Sequence, residues 1–359
     1  AQTVDIAYAH DLTHWELGRE TTRKVGSETL SENVYDGNNR VKYVKQYGVE
    51  VKEFSYYANG TMLWQEDALN NRITFANWKR GIPQLITYPD STSHAFVVEN
   101  NGWITRSTDA KGYATDYDWD NIGRLERVEY PTNDGINRLD KVITYGLVTS
   151  SDLSISGAGL LAGQYKQTKT RGDLKVTTYL DAMLRPVLSR TQDTGDASLD
   201  RWTRQSFDTS NRPVFNSFPS STAYATSGTN STFDALGRAL NQTENVSPYA
   251  STSYAYLSGN RVRITNPRGK QTTTSFFALG APDQSAPTLI QQPESVTTTV
   301  VRNNFGEMTS ATQSGTNPTV SATRRYYYDT SHRLCRQVDP ETGSTAYNYN
   351  NNGQMTWYA

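Results

Sequence analysis

The chain has a single cysteine in 359 residues. Cys335 alone excludes an internal disulfide and any cysteine-based zinc site, and as a small apolar residue it is expected to fill core. No apolar run approaches the ~20 residues of a membrane helix, and Ala1-Gln2-Thr3-Val4 is not a charged segment followed by an apolar one, so we expect a soluble chain with no membrane span. Surplus charge is missing too: 35 Lys and Arg face 36 Asp and Glu, a formal −1. A nucleic-acid binder needs a basic footprint, which the small clusters Arg23-Lys24 and Trp78-Lys79-Arg80 do not supply, so no nucleic acid is expected as a partner. The commonest enzyme signatures are absent as well, including Gly-x-Ser-x-Gly, a phosphate-binding glycine loop and a dinucleotide fingerprint. Long Ala/Leu/Glu/Lys stretches at helical spacing are scarce.

Aromatics fill the gap. With 23 tyrosines, 7 tryptophans and 10 phenylalanines, aromatic residues reach 11% while all hydrophobic residues reach only 35%. Aromatic and β-branched side chains suit pleated, half-buried surfaces, so the expectation is an all-β protein.

The aromatics recur in a pattern. Tyr35-Asp36-Gly37-Asn38-Asn39-Arg40, Trp119-Asp120-Asn121-Ile122-Gly123-Arg124, Phe233-Asp234-Ala235-Leu236-Gly237-Arg238 and Tyr328-Asp329-Thr330-Ser331-His332-Arg333 share one template: aromatic, Asp, two variable residues, Gly or Asn, Arg. Weaker copies begin at Tyr56, Phe75, Val98, Leu180, Phe207, Tyr256, Phe276, Arg302 and Tyr349, most of them 19 to 27 residues from the next. Asp109-Ala110-Lys111-Gly112, Asn266-Pro267-Arg268-Gly269 and Asp339-Pro340-Glu341-Thr342-Gly343 form a second set of turn sequences about ten residues upstream of the next aromatic. Two turns and two strands of roughly six residues make each unit one hairpin. A lone hairpin is marginal in water, so the hairpins must share a sheet, and the array is the folding unit. We therefore expect a lead-in segment over residues 1–30 and a hairpin array over 31–359, with an insertion or degenerate units at 132–175 around the Ser/Gly-rich stretch Thr149 to Gly163.

In these residues the sequence resembles the YD-repeat proteins: the bacterial rearrangement-hotspot (Rhs) proteins, the shell components of insecticidal toxin complexes, and the teneurins. The resemblance covers roughly residues 31 to 357 and implies a curved or spiral antiparallel sheet. In Rhs and toxin-complex proteins that sheet forms a shell sequestering a toxic C-terminal polypeptide. By that resemblance the chain is a non-catalytic shell segment, secreted, delivered or held at a cell surface, whose partner is an encapsulated toxin polypeptide or the remainder of its own parent chain. The Asp-Pro-x-Gly region that ends such shells is not found, and Asp339-Pro340-Glu341-Thr342-Gly343 does not stand in its context. The repeat runs almost to Ala359, so a fragment of a longer array is expected.

The motif residues are given structural roles. Asp36, Asp120, Asp234 and Asp329 should accept turn N–H groups, while Arg40, Arg124, Arg238 and Arg333 should bridge to neighbouring hairpins, pairing with the aspartates and staying out of any common pocket. Other candidates read as background. His10 and His14 lack a third ligand, His94 and His332 are isolated, and Glu66-Asp67 and Asp116/Asp118/Asp120 read as solvated turns. No metal or other cofactor is expected. Asn59, Asn230, Asn241 and Asn245 begin Asn-x-Ser/Thr triplets of the kind chance supplies in an Asn- and Thr-rich chain. Two other readings stay open: an adhesin or glycan-binding module with Trp64, Trp78, Trp103 or Trp119 exposed in rows, and an enzyme whose carboxylates come from different repeats.

Overall fold

A computed structural model describes residues 3–277, 284–316 and 318–359. Among these, the only helical pieces are one turn of α-helix, Ser150–Leu153, and two short 3₁₀ turns, Ala197–Leu199 and Pro293–Ser295. The rest is strand and turn: the protein is all-β, built of tandem antiparallel hairpins.

The chain divides into two compact units, one comprising Ala1–Ser93, Tyr256–Arg263 and Gln271–Ala359, the other His94–Ala255 and Ile264–Lys270. In the first unit, strands Val4–Asp11, Glu16–Val25, Glu28–Tyr35, Val41–Gln46, Val49–Tyr56, Met62–Asp67, Arg72–Lys79 and Ile82–Thr87 each pair antiparallel with the next. Residues 4–25 are thus two paired strands within the stretch expected to lead in. A second ladder of the same unit runs from Gln271–Phe276 to Met355–Tyr358. The other unit carries the same pattern from Ile104–Thr108 to Ala239–Glu244.

One turn recurs through the array. The N–H of Asn39 donates to the Asp36 carbonyl (3.0 Å), the N–H of Asp36 donates to the Arg40 carbonyl (2.8 Å), and Asn39 takes φ +65°. This is a type I turn followed by a left-handed residue, which inserts one extra residue into the ladder: Val34 faces Tyr43 but Tyr35 faces Val41. The same pair of backbone bonds recurs at Tyr57, Asp67, Tyr88, Glu99, Asp109, Asp120, Asp181, Asp208, Asp234, Asn266, Asn303, Asp329 and Asn350. The turns at Asp109 and Asn266, set apart in the sequence as a second kind, therefore have the same geometry as the motif turns. Phe75 departs from expectation: it lies inside strand Arg72–Lys79, and the chain reverses at Arg80-Gly81, a two-residue turn with φ +53° and +78° between the paired Lys79 and Ile82. Positive φ at both central residues matches strand twist, so the shorter turn needs no Asp. The copy starting at Phe276 runs into residues 278–283, outside the described residues.

Most strand residues are half-buried, as in an array where each hairpin packs mainly on the next. The most buried cluster lies in the second unit, where Val148, Ala158, Tyr179, Leu188, Trp202 and Ala223 meet, flanked by Ile155 and Leu160. Within the 132–175 range, strands Lys141–Leu147 and Tyr165–Arg171 pair in register with each other, and the residues between them form the loop that supplies this cluster. The loop begins with a capping box, in which the Thr149 hydroxyl accepts from the Asp152 N–H and the Asp152 carboxylate accepts from the Thr149 N–H at 2.7 Å. Burial works to raise the pKa of this carboxylate, but its pair with Lys166, the bonds from the Thr149 hydroxyl and N–H, and the Tyr179 hydroxyl at 2.8 Å outweigh it and hold the group well below the usual carboxylate range. Arg204 ties the loop down through the Gly157 and Ala158 carbonyls at 2.6 and 2.8 Å and joins it to the Ala223 carbonyl at 3.1 Å.

Candidate functional site: a reciprocal clasp between repeats

Each motif side chain has a defined task. In the first motif, one Asp36 oxygen accepts the N–H groups of Asn38 (2.9 Å) and Arg40 (3.0 Å), and the other takes Arg40 Nε (2.9 Å) and Nη2 (2.7 Å). The free Nη1 of Arg40 donates onward to the Tyr57 carbonyl (3.2 Å), and its guanidinium lies over the Tyr56 ring, 4.6 Å from the centroid. Tyr56 reaches back, its hydroxyl donating to the Val41 carbonyl at 2.8 Å. Successive hairpins thus hold each other from both sides.

The clasp repeats with the residue types changed. Arg333 is held by Asp329 (2.8 Å), donates to the Asn350 carbonyl (2.8 Å) and covers Tyr349 at 5.1 Å, whose hydroxyl returns to Leu334 at 2.8 Å. Arg124, paired with Asp120 (2.6 Å), covers Tyr145 at 4.2 Å, and that hydroxyl returns to Leu125 at 3.1 Å. Arg212 donates to the Asp234 carbonyl at 2.8 Å and covers Phe233 at 5.0 Å; the phenylalanine has no hydroxyl to return. Arg238 pairs with Asp234 at 2.7 Å. Tyr35, Trp119 and Tyr328 hand a hydrogen bond back to Glu20 (2.8 Å), Ile104 (2.9 Å) and Met308 (2.9 Å). Gly123 (φ +86°) and Gly237 (φ +83°) occupy the left-handed position, and at Gly123 a Cβ would also stand 3.0 Å from the Trp103 ring.

The aspartates answer to these contacts. At Asp234 and Asp208 the N–H bonds from the arginine's own backbone lead in lowering the pKa; at Asp181 the arginine side chain leads. At Asp36, Asp120 and Asp329 burial works upward but is outweighed by the same bonds. Each pair serves its own turn. Two of the other candidate carboxylates are similarly committed: Glu66 to Arg72 at 2.7 Å, Asp116 to Arg106 at 2.6 Å. His14 bonds Asp11 at 2.8 Å and His10 accepts the Gly18 N–H at 3.0 Å. Among the described residues no group of His, Cys, Asp and Glu is arranged to hold a metal ion, and no helix is long and apolar enough to cross a membrane. Trp64, Trp78, Trp103 and Trp119 are half-buried: Arg72 covers Trp64 at 3.9 Å, Trp78 donates to the Met62 carbonyl at 2.8 Å, and Trp103 stacks on Trp119 at 6.1 Å. Cys335 is half-buried beside the Tyr327 carbonyl.

A lysine cannot hold the carboxylate through two nitrogens, donate to the next carbonyl and lie flat on a ring at once. Arg40→Lys should therefore destabilise the first unit by about 1 to 2 kcal/mol, whereas Arg23→Lys, whose pair with Glu20 is half-exposed, should change little. Urea denaturation of the two variants checks this.

His332, isolated in the sequence, is not isolated in the fold. In the first unit its ring stands between Glu307 (Nδ1 to Oε1, 2.8 Å) and Glu28 (Nε2 to Oε1, 2.9 Å), residues from the two ends of the chain. Nearby, Asn352 Nδ2 donates to Asp67 at 2.6 Å, and between these contacts lies a groove of about 580 Å³ lined by Tyr47, Lys52, Asp67, Arg333 and Asn352. The available signal was local: a histidine at the left-handed position, where the other strong motifs have Gly or Asn.

No family model matches the chain, and no curated protein matches it. Solved structures do. The chain aligns over 98% of its length with a TcdB2-TccC3 crystal structure lacking its hypervariable C-terminal region (TM-score 0.58, 12% identity, 22% of that chain). It aligns over 99% with a TcdB2-TccC3-Cdc42 complex (0.55, 12%, 19% of that chain) and over 94% with a Photorhabdus luminescens Tc holotoxin pore (0.54, 13%, 19%). It spans about a fifth of those chains. At this identity the likeness concerns the fold, and it is the fold expected of a segment of a YD-repeat array.

Proposed function

We propose that this chain is a structural, non-catalytic segment of the YD-repeat shell of a secreted or delivered toxin, and that the shell encloses a toxic polypeptide from the same parent chain. The reading rests on one observation above all: the residues that define the repeat are spent on holding hairpin to hairpin. Within each unit the Asp, Arg and aromatic of the motifs hold one another and the backbone, so stability is distributed along the ladder of hairpins. The likeness in fold to toxin-complex chains supports the same role. The hydrogen-bonded indoles of Trp78 and Trp119 are anchors of the wall, which disfavours the glycan-stacking alternative.

Protease protection in the full-length protein carrying this segment tests the proposal. Polypeptide outside the array should resist digestion while the array is intact, and should become cleavable in an Arg40→Ala, Arg333→Ala variant. Digestion at the same rate in both forms would remove containment as the function.

A further inference from the structure

We propose that His332 is a protonation-controlled clasp that fastens the C-terminal hairpins of the first unit to its N-terminal hairpins, closed when the imidazole is charged and released when it is neutral. The geometry leaves little choice of protonation state. A neutral imidazole has one N–H; here each ring nitrogen faces a carboxylate oxygen within 2.9 Å, and a carboxylate can only accept, so both bonds need the imidazolium. The His332 side chain is 13% exposed, Glu307 14% and Glu28 39%, so water stands in poorly for a lost bond on the Glu307 side.

The surroundings are fixed from every side. From the strand Glu28–Tyr35 comes Glu28; from the turn between Val41–Gln46 and Val49–Tyr56 comes the Tyr47 ring, 4.7 Å from the imidazole. The turn that starts at Asn303 brings Phe305 edge-on at 4.1 Å, and Glu307, whose second oxygen accepts from Asn303 Nδ2 at 2.5 Å. In its own turn, Asp329 is paired with Arg333 and so does not compete for His332. Burial keeps the Tyr47 hydroxyl protonated beyond its ordinary range, with Glu307 and Glu28 adding to the effect, so Tyr47 does not titrate in the same window. Burial works to lower the imidazole's own pKa, but the hydrogen bonds to Glu28 and Glu307 and their charges outweigh it and leave the pKa raised.

The sign follows by linkage. A raised folded pKa gives stabilisation that is complete below the unfolded histidine value of about 6.5 and is lost as pH rises through the folded value. Above that point one carboxylate loses its donor and two anions are left on either side of a neutral ring. The seam therefore loosens toward alkaline pH, and the turns at Asp36 and Asp329 are untouched by the change.

Hydrogen exchange by mass spectrometry across pH 5.5 to 9, corrected for intrinsic rates, reads the clasp. Peptides covering residues 28–48 and 331–354 should lose protection together as pH rises, by about tenfold for each pH unit by which the imidazole pKa is raised. Strands Tyr165–Arg171 and Leu174–Leu180 serve as the reference that should not move. His332→Asn, which suits the left-handed backbone at φ +59°, should abolish the pH dependence, and Glu307→Gln should shrink it. Protection at the seam that is flat across the titration, or that keeps its pH dependence in His332→Asn, overturns the proposal. A measured imidazole pKa at or below 6.5 by NMR would do the same.

Discussion

Trp202→Ala should destabilise the second unit by about 3 to 5 kcal/mol, the largest single-residue loss expected in the protein. The array has few residues removed from water on every side; Trp202, 5% exposed, is the largest of them and sits against Tyr179 and Leu188, each 2% exposed. Arg190 covers its ring at 4.9 Å while pairing with Asp200, so truncation also leaves a half-buried cation without its lid. Its backbone exchanges two hydrogen bonds with Ser220, at 2.7 and 2.9 Å, which keep that loop in place and prevent the cavity from collapsing. Trp15, 82% exposed, is the control: its alanine variant should fall within about 0.5 kcal/mol of the parent. Denaturant titrations followed by far-UV circular dichroism distinguish them, and equal midpoints for both variants would show that the cluster does not organise its unit.

The Trp202 cluster is also where the sequence was least informative. The repeating turns were legible because their chemistry is local: an Asp that folds onto N–H groups two and four residues ahead, a left-handed residue and an Arg all lie within six positions. The turns at Tyr57 and Glu99 were legible only as the weaker copies that begin at Tyr56 and Val98, and the one at Tyr88 escaped the template; all three use Asn59, Asp90 and Asn101 two residues later to accept the N–H groups of Thr61, Thr92 and Trp103. An Asx at either position marks all of them. The loop that completes the core carries no period, and its partners, Thr149 with Asp152, Tyr179 with Asp152 and Arg204 with Gly157, range from 3 to 47 residues apart. His332 and Glu28 are 304 residues apart, a meeting that only the folded ladder determines. Local electrostatics was readable; contacts across the array were not.

The second large effect concerns acid. Asp36, Asp120, Asp181, Asp208, Asp234 and Asp329 are all held below the ordinary carboxylate value, and a lowered folded pKa gives stability that is present above the unfolded value of about 4 and is lost as pH falls through the folded one. Six turns share that dependence, so the melting temperature should be nearly level from pH 7 to about pH 5 and drop most steeply between about pH 4 and pH 2. The chain contains its own comparison. At Asn266, Asn303 and Asn350 an amide oxygen accepts the same two N–H groups, from Arg268 and Lys270, Phe305 and Glu307, Asn352 and Gln354. In those three turns the residue four places on is Lys, Glu or Gln, whereas in the six turns named above it is Arg; Asp67, whose carboxyl is also held low, has Asn71 there, bonded to it through N–H and Nδ2. The neutral amide suffices to make the turn; the charge is needed where a guanidinium must be held in place to reach the next hairpin. Asp329→Asn should therefore keep its turn at neutral pH and lose part of the clasp to Asn350, making the acid limb of the melting curve shallower. An acid limb unchanged in Asp329→Asn, Asp181→Asn and the double variant would mean that the motif carboxylates do not govern stability, and that the reciprocal clasp holds without its charge.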